Sequence, residues 1–296
     1  MITYLLFGAM QAISVAHSIL NKKFQLGIKN NLPTMIMYNL INAIFGSIYF
    51  FLLCKCHIEM NGITMLFSVI YAIMVVNSLA VGIVSLSKVS IPFSAIVAMA
   101  GGVTGSAVFG ILCFGEPVSG KQIFAMLLLI GAVAVTALAS PELKYKRNSA
   151  AVCVWHFLTC FFTSPFMKFY TVTPGVLEAN NMFFMTNLLA AMISLAYVII
   201  YIAKKGKLVA KESFGCVLEK SSIINIASRT ALANLNSVIS VIIIAGIDLT
   251  LYNILSSALG LIANGCISRF VFKEKLIREN YISILLAIAA IIVRTI

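Results

Sequence analysis

Apolar runs of membrane-crossing length, parted by short polar breaks, fill this chain from end to end. About 20 mostly apolar residues carry a helix across the hydrocarbon core of a bilayer. On that measure the pattern predicts ten helical spans, at 2–20, 34–53, 64–86, 91–114, 121–139, 151–169, 182–203, 220–244, 248–270 and 277–295. The eighth is the least apolar. The longest connections follow the fifth and seventh spans, around Leu143–Ser149 and Lys204–Leu218, and none is long enough to hold a soluble domain.

The pattern also repeats. Phe114–Ala137, FGEPVSGKQIFAMLLLIGAVAVTA, is echoed by Phe272–Thr295, FKEKLIRENYISILLAIAAIIVRT. Each copy opens on Phe-x-Glu at the end of an apolar run, turns through a few polar residues and enters a helix-length apolar stretch. Glu116 and Glu274 lie 158 positions apart in a chain of 296. The polar stretch SPELKYKRNS, ending at Ser149, parts the chain into residues 1–140 and 150–296, five spans in each. An odd number of spans per copy turns the second copy over in the membrane. The expected fold is therefore all-α integral membrane, ten transmembrane helices in two inverted five-helix repeats, a plan common in transporters.

Composition agrees with the spans. Hydrophobic residues make up 61% and charged residues 10%, against about 25% charged in ordinary soluble domains; mean hydropathy is +1.05. In a soluble chain a net charge of +12 would suggest nucleic acid; here it reads as loop lysines facing an anionic leaflet. Connections after odd-numbered spans hold fifteen Lys and Arg against four on the other side, which predicts outward-facing termini. The first run lacks a basic leader and a small-residue cleavage site, so it is expected to remain as a helix. Seven cysteines sit mostly in apolar runs as small packing residues. Cys54-Lys55-Cys56-His57 is half a metal site with no second pair. No metal, cofactor or catalytic residue is expected, and enzyme signatures are absent.

Polar groups are expensive inside a bilayer, so those in mid-span are the candidates for function. On the eighth span Asn225, Arg229, Asn236 and Ser240 follow at spacings of 4, 7 and 4, which places them on one helical face. Arg229 lies about nine residues in, roughly 13 Å at 1.5 Å per residue. Two roles remain open for it. A guanidinium grips carboxylate or phosphate with two parallel bonds; alternatively it locks onto a helix-end carbonyl, Asp248 or Glu178. The ninth span carries Asn253, Ser257, Gly260, Asn264 and Ser268, a stripe that lines a cavity or lets helices approach closely, with the cavity candidate Tyr252 toward its start. Gly102, Ser106 and Gly110 on the fourth span form a small-residue packing ridge. Asn77 on the third span is a further cavity candidate. Glu116 and Glu274 sit at helix junctions, where a carboxylate meets free N–H groups, and are expected to be structural.

Phe-x-Glu before a terminal helix, in both halves of a ten-span chain, resembles the drug/metabolite transporter superfamily, and its EamA-like members in particular. Span one, YLLFGAMQAISVAHSILNKKF, and Leu86–Gly101 are also similar to the small multidrug resistance proteins of that superfamily. The chain departs from both patterns. Ala100-Gly101-Gly102 and Leu259-Gly260 stand where the family often has Pro, and Ser14 stands where the small proteins carry a membrane carboxylate. The resemblance implies a secondary carrier with a central cavity between the repeats, to which helices one and six contribute. That adds Gln11, Ser14, Trp155 and His156 as substrate-binding candidates. Trp155 near a helix start also suits an interfacial anchor, and His156 a packing role. The resulting expectation is a cell-membrane, multi-pass carrier, not an enzyme, that moves a small polar metabolite. Its rivals are a flippase subunit for a lipid-linked head group and a non-transporting membrane scaffold.

Overall fold

The computed structural model describes residues 2–27, 32–86, 91–117, 119–139, 147–271, 273 and 278–295. Among these, all regular structure is helical: α1 Ile2–Gly27, α2 Leu32–Leu53, α3 Gly62–Leu86, α4 Ile91–Leu112, α5 Gly120–Ala139, α6 Arg147–Val172, α7 Ala179–Lys205, α8 Lys207–Leu218, α9 Lys220–Gly246, α10 Leu249–Cys266 and α11 Arg278–Thr295. A wider π-type turn, Ile267–Val271, continues α10. Among the described residues three helices, α2, α7 and α9, are long and apolar enough to cross a membrane. Shorter apolar helical stretches occur at Leu5–Leu20, Gly62–Ser78, Val97–Leu112, Gly120–Ala132, Leu249–Ala263 and Tyr281–Val293. Most of the polar stretch that divides the sequence halves, and the Phe272-x-Glu274 motif, lie outside the described residues.

One expected connection is a helix. The segment after the seventh span turns at Gly206, whose φ of +85° is open to glycine at little cost, and then forms α8. Ala210, Phe214 and Val217 are its buried residues. Their spacing of 4 and 3 is helical, but lysines around them hide the pattern from a count tuned to 20-residue apolar runs.

The chain packs as two compact units, neither of which is a sequence half. Unit 1 comprises Met1–Val15, Val84–Phe169 and Ile242–Ile296; unit 2 comprises Ala16–Ile83 and Tyr170–Val241. Within them, helices that correspond between the halves are neighbours: α4 with α10 and α5 with α11 in unit 1, α2 with α7 in unit 2.

In unit 1, α5 and α11 meet through small residues. Ala125, Ala287 and Ala290 are fully buried there in a cluster with Leu129, Ile254 and Ala258; Ala132 is fully buried too, and Ser283 donates to its carbonyl at 2.8 Å. The large side chains point away: Ile123, Phe124, Leu127 and Ile130 on α5, and Tyr281, Ile282, Leu285, Ile288 and Ile292 on α11, are all exposed. A helix of a soluble protein puts its large apolar stripe inward. Small residues inside and large ones outside is the arrangement for helices that associate in lipid.

Unit 2 is stitched by polar groups across its helix contacts. Asn39 donates to Ser194 at 2.8 Å between α2 and α7, and Thr230 donates to Asn42 at 2.7 Å between α9 and α2. At the turns, Asn61 caps α3 by accepting from Thr64 N–H at 2.7 Å and reaches the Gly175 carbonyl at 2.6 Å. Thr64 in turn accepts from Leu177 N–H at 3.0 Å.

Glu116 is structural, but not for the helix that follows it. Helix α5 is capped by Ser119 and Gln122, whose side chains accept reciprocally from each other's backbone N–H at 3.2 and 2.8 Å, a capping box. Glu116 instead caps α10. It accepts from Leu249 N–H, from Thr250 N–H at 3.0 Å and from the Thr250 hydroxyl at 2.7 Å. Gly110 makes room for this knot, since a Cβ there would stand 2.6 Å from both the carboxylate and the Thr250 hydroxyl. Three donors at a helix N-terminus favour a charged acceptor. Glu116→Gln should therefore lower stability by about 1–3 kcal/mol. Thermal unfolding of the purified variant beside the parent protein checks it.

Candidate functional site

The polar face of α9 is the candidate site in unit 2. Arg229 is buried, with 5% of its surface exposed. Its guanidinium carbon lies 5.1 Å from the centre of the Phe24 ring and 4.9 Å from that of Tyr38. The two rings are themselves 5.2 Å apart and tilted by 42°, so the cation caps an aromatic pair supplied by α1 and α2. A cation over ring faces within about 6 Å is attracted by their quadrupoles, by about 2 kcal/mol or more when desolvated. His17 of α1 lies within electrostatic reach of Arg229. Val217 of α8 and Ile226 of α9 pack around the Phe24–Tyr38 pair.

Along the same α9 face, Asn225 and Asn236 each bury an amide oxygen that has no hydrogen-bond partner among the described residues; the same is true of the Asn234 amide nitrogen. Leaving such an atom unsatisfied costs about 1–3 kcal/mol; the two oxygens are acceptors, whereas the Asn234 nitrogen is a donor. Asn77 of α3, half-buried, belongs to the same unit.

The remaining predicted residues fall in unit 1. Asn253 is committed to the protein: its amide accepts from Ser164 at 3.2 Å and donates to the Leu249 carbonyl at 3.2 Å, with Gly102 close beside it. Tyr252 is buried, its hydroxyl 3.8 Å from the Met10 sulfur and its ring 5.8 Å from Phe7. Gln11 and Ser14 on α1 and His156 on α6 are half-buried, whereas Trp155 is 55% exposed, in keeping with an anchor. Lys168 stands near the end of α6. It donates to the Ile244 and Ile247 carbonyls at 2.8 and 2.9 Å, where the negative end of the α9 dipole favours a cation.

Three features escaped the sequence reading. Phe24 and Tyr38 were hidden because any aromatic residue in an apolar run reads as core. Pro165, inside α6, was visible as a missing N–H. The Ser119–Gln122 box was visible as S-x-x-Q. Among the described residues no three His, Cys, Asp or Glu side chains gather as metal ligands, and the seven cysteines are free.

No family model matches this chain, and no curated protein sequence does. Solved structures do match it. One, described only as a crystal structure of a protein, aligns over 97% of this chain and 98% of its own with a TM-score of 0.64 and 11% identity. At that identity the likeness concerns the fold alone: this chain shares its helical fold, end to end, with a protein of known structure.

Proposed function

We propose that this chain is a ten-span secondary carrier of the cell membrane, an EamA-like member of the drug/metabolite transporter superfamily. It moves a small polar metabolite bearing an anionic group. The observation that carries the substrate assignment is the α9 face, where a buried guanidinium lies in line with two buried amide oxygens that have no hydrogen-bond partner among the described residues. The first suits a carboxylate or phosphate and the second suits hydroxyl or ammonium donors. Two further features support a membrane carrier built by duplication. Corresponding helices of the two halves are neighbours, as expected of repeats related by an axis in the membrane plane, and the exposed faces of α5 and α11 are stripes of large apolar residues.

Purified protein screened with small metabolites should be stabilised by anionic ones. A ligand at 100 times its Kd contributes about 2.7 kcal/mol, which is a readable rise in Tm. The stabilising compound should then cross proteoliposome membranes only when the protein is present. Lipid scrambling without solute flux would identify a flippase instead, and an absence of both a scaffold.

A further inference from the structure

We propose that α8 lies on the membrane surface and binds anionic phospholipid headgroups; this rests on the membrane reading above. Single residues, Gly206 and Glu219, join its twelve residues to α7 and α9, both long and apolar enough to cross a bilayer. At 1.5 Å per residue the helix is roughly 18 Å long, so such joints hold it where its neighbours leave the bilayer. It is a fixed element, not a loose loop. Ala210 and Phe214 pack with Leu40 and Val198 of α2 and α7. The Ser213 carbonyl accepts from Thr34 at 2.8 Å, and the Ser213 hydroxyl is 3.3 Å from that of Tyr201.

What this docking leaves outward is an unusual mixture. Leu208 is 82% exposed, with Val209 and Leu218 also open. Around them stand exposed Lys204, Lys205, Lys207, Lys211 and Lys220, with Glu212 and Glu219 as the acids among them. Bare leucine is unfavourable in water, and five clustered ammonium groups are unfavourable in hydrocarbon. The boundary between acyl chains and phosphates accommodates both, and an anionic leaflet attracts each lysine near its surface. The continuity of α8 with two spanning helices selects the chain's own bilayer as occupant over a soluble protein or a second copy.

The test uses the full chain in nanodiscs of phosphatidylcholine, with and without phosphatidylglycerol. In a cysteine-free background, Leu208→Cys carries an environment-sensitive dye. Its emission should be blue-shifted, quenched by shallow spin-labelled lipid and protected from aqueous iodide. Replacing Lys204, Lys205, Lys207 and Lys211 by Gln should weaken phosphatidylglycerol binding by on the order of tenfold or more, with Tm in phosphatidylcholine unchanged. Iodide quenching equal to that of the free dye would overturn the proposal, as would undiminished phosphatidylglycerol binding by the fourfold variant. Alkaline carbonate separates the two levels of the argument. A carbonate-resistant protein whose position 208 is aqueous loses only the α8 assignment; release of the chain by carbonate removes the carrier reading as well.

Discussion

Gly105→Ala should be the most damaging single-methyl change in unit 1, costing about 1–3 kcal/mol or preventing folding. An added Cβ at Gly105 would overlap the backbone carbonyl oxygen of Phe161. Backbone cannot swing aside as a side chain can, so α4 and α6 would have to separate. The reason for the close approach lies in α6 itself. Pro165 stands four residues after Phe161 and has no N–H to donate to that carbonyl. Gly105 brings the α4 backbone against the carbonyl so released, where a Cα–H can point at it. One turn earlier, Gly101 meets the Phe157 carbonyl in the same way. The control is Gly8→Ala, where an added methyl meets nothing within 4 Å; helix propensity favours it by about 0.8–1 kcal/mol. Tm and monodispersity of both variants in one detergent provide the comparison. A Gly105→Ala protein with wild-type Tm would mean that the two helices do not touch there.

Arg229 variants should lose ligand binding without losing the fold, provided the replacement fills the space over Phe24 and Tyr38. Arg229→Met is the informative one. Its thioether packs on aromatic rings and removes the charge, so the protein should stay monodisperse while affinity for the anionic ligand falls by a hundredfold or so, about 3 kcal/mol for a charged hydrogen-bonded contact. Arg229→Lys keeps the charge but loses the planar two-bond grip, and should bind weakly. Arg229→Ala removes both, and its stability should fall by about 2 kcal/mol or more from the lost ring contact. Ligand titration alongside Tm separates binding from folding. Full binding by folded Arg229→Met protein would end the substrate assignment, and collapse of Arg229→Met and Arg229→Lys alike would make this arginine a structural lock.

Helical content and the shared α9 face were legible because both depend on local spacing. Apolar length marks a helix suited to lipid whatever it packs against, and residues 225, 229 and 236 fall on one side of any α-helix. The α8 helix was missed for a related reason. Three inward positions among lysines are a helical signal too short for a span-length count, and become decisive only when α2 and α7 receive them.

Pairing of distant residues is a different kind of information. Sequence marked Glu116 as a carboxylate at a turn, and the choice of α10 over α5 as its helix was made by packing that brings Leu249 and Thr250 to it. The small residues of α4 were evident, yet they serve two neighbours: Gly101 and Gly105 admit α6, while Gly102 and Gly110 admit α10 and the Glu116 knot. Arg229 announced itself as a buried cation, but the rings that receive it come from α1 and α2. By itself, then, the sequence determined that the chain is helical, where most of its helices run and which side chains share a face, since each follows from the 1.5 Å rise and the 3.6-residue turn. Tertiary structure alone decided which carbonyl, ring or helix end each polar group meets, because those partners are set by the close packing of helices far apart in the chain.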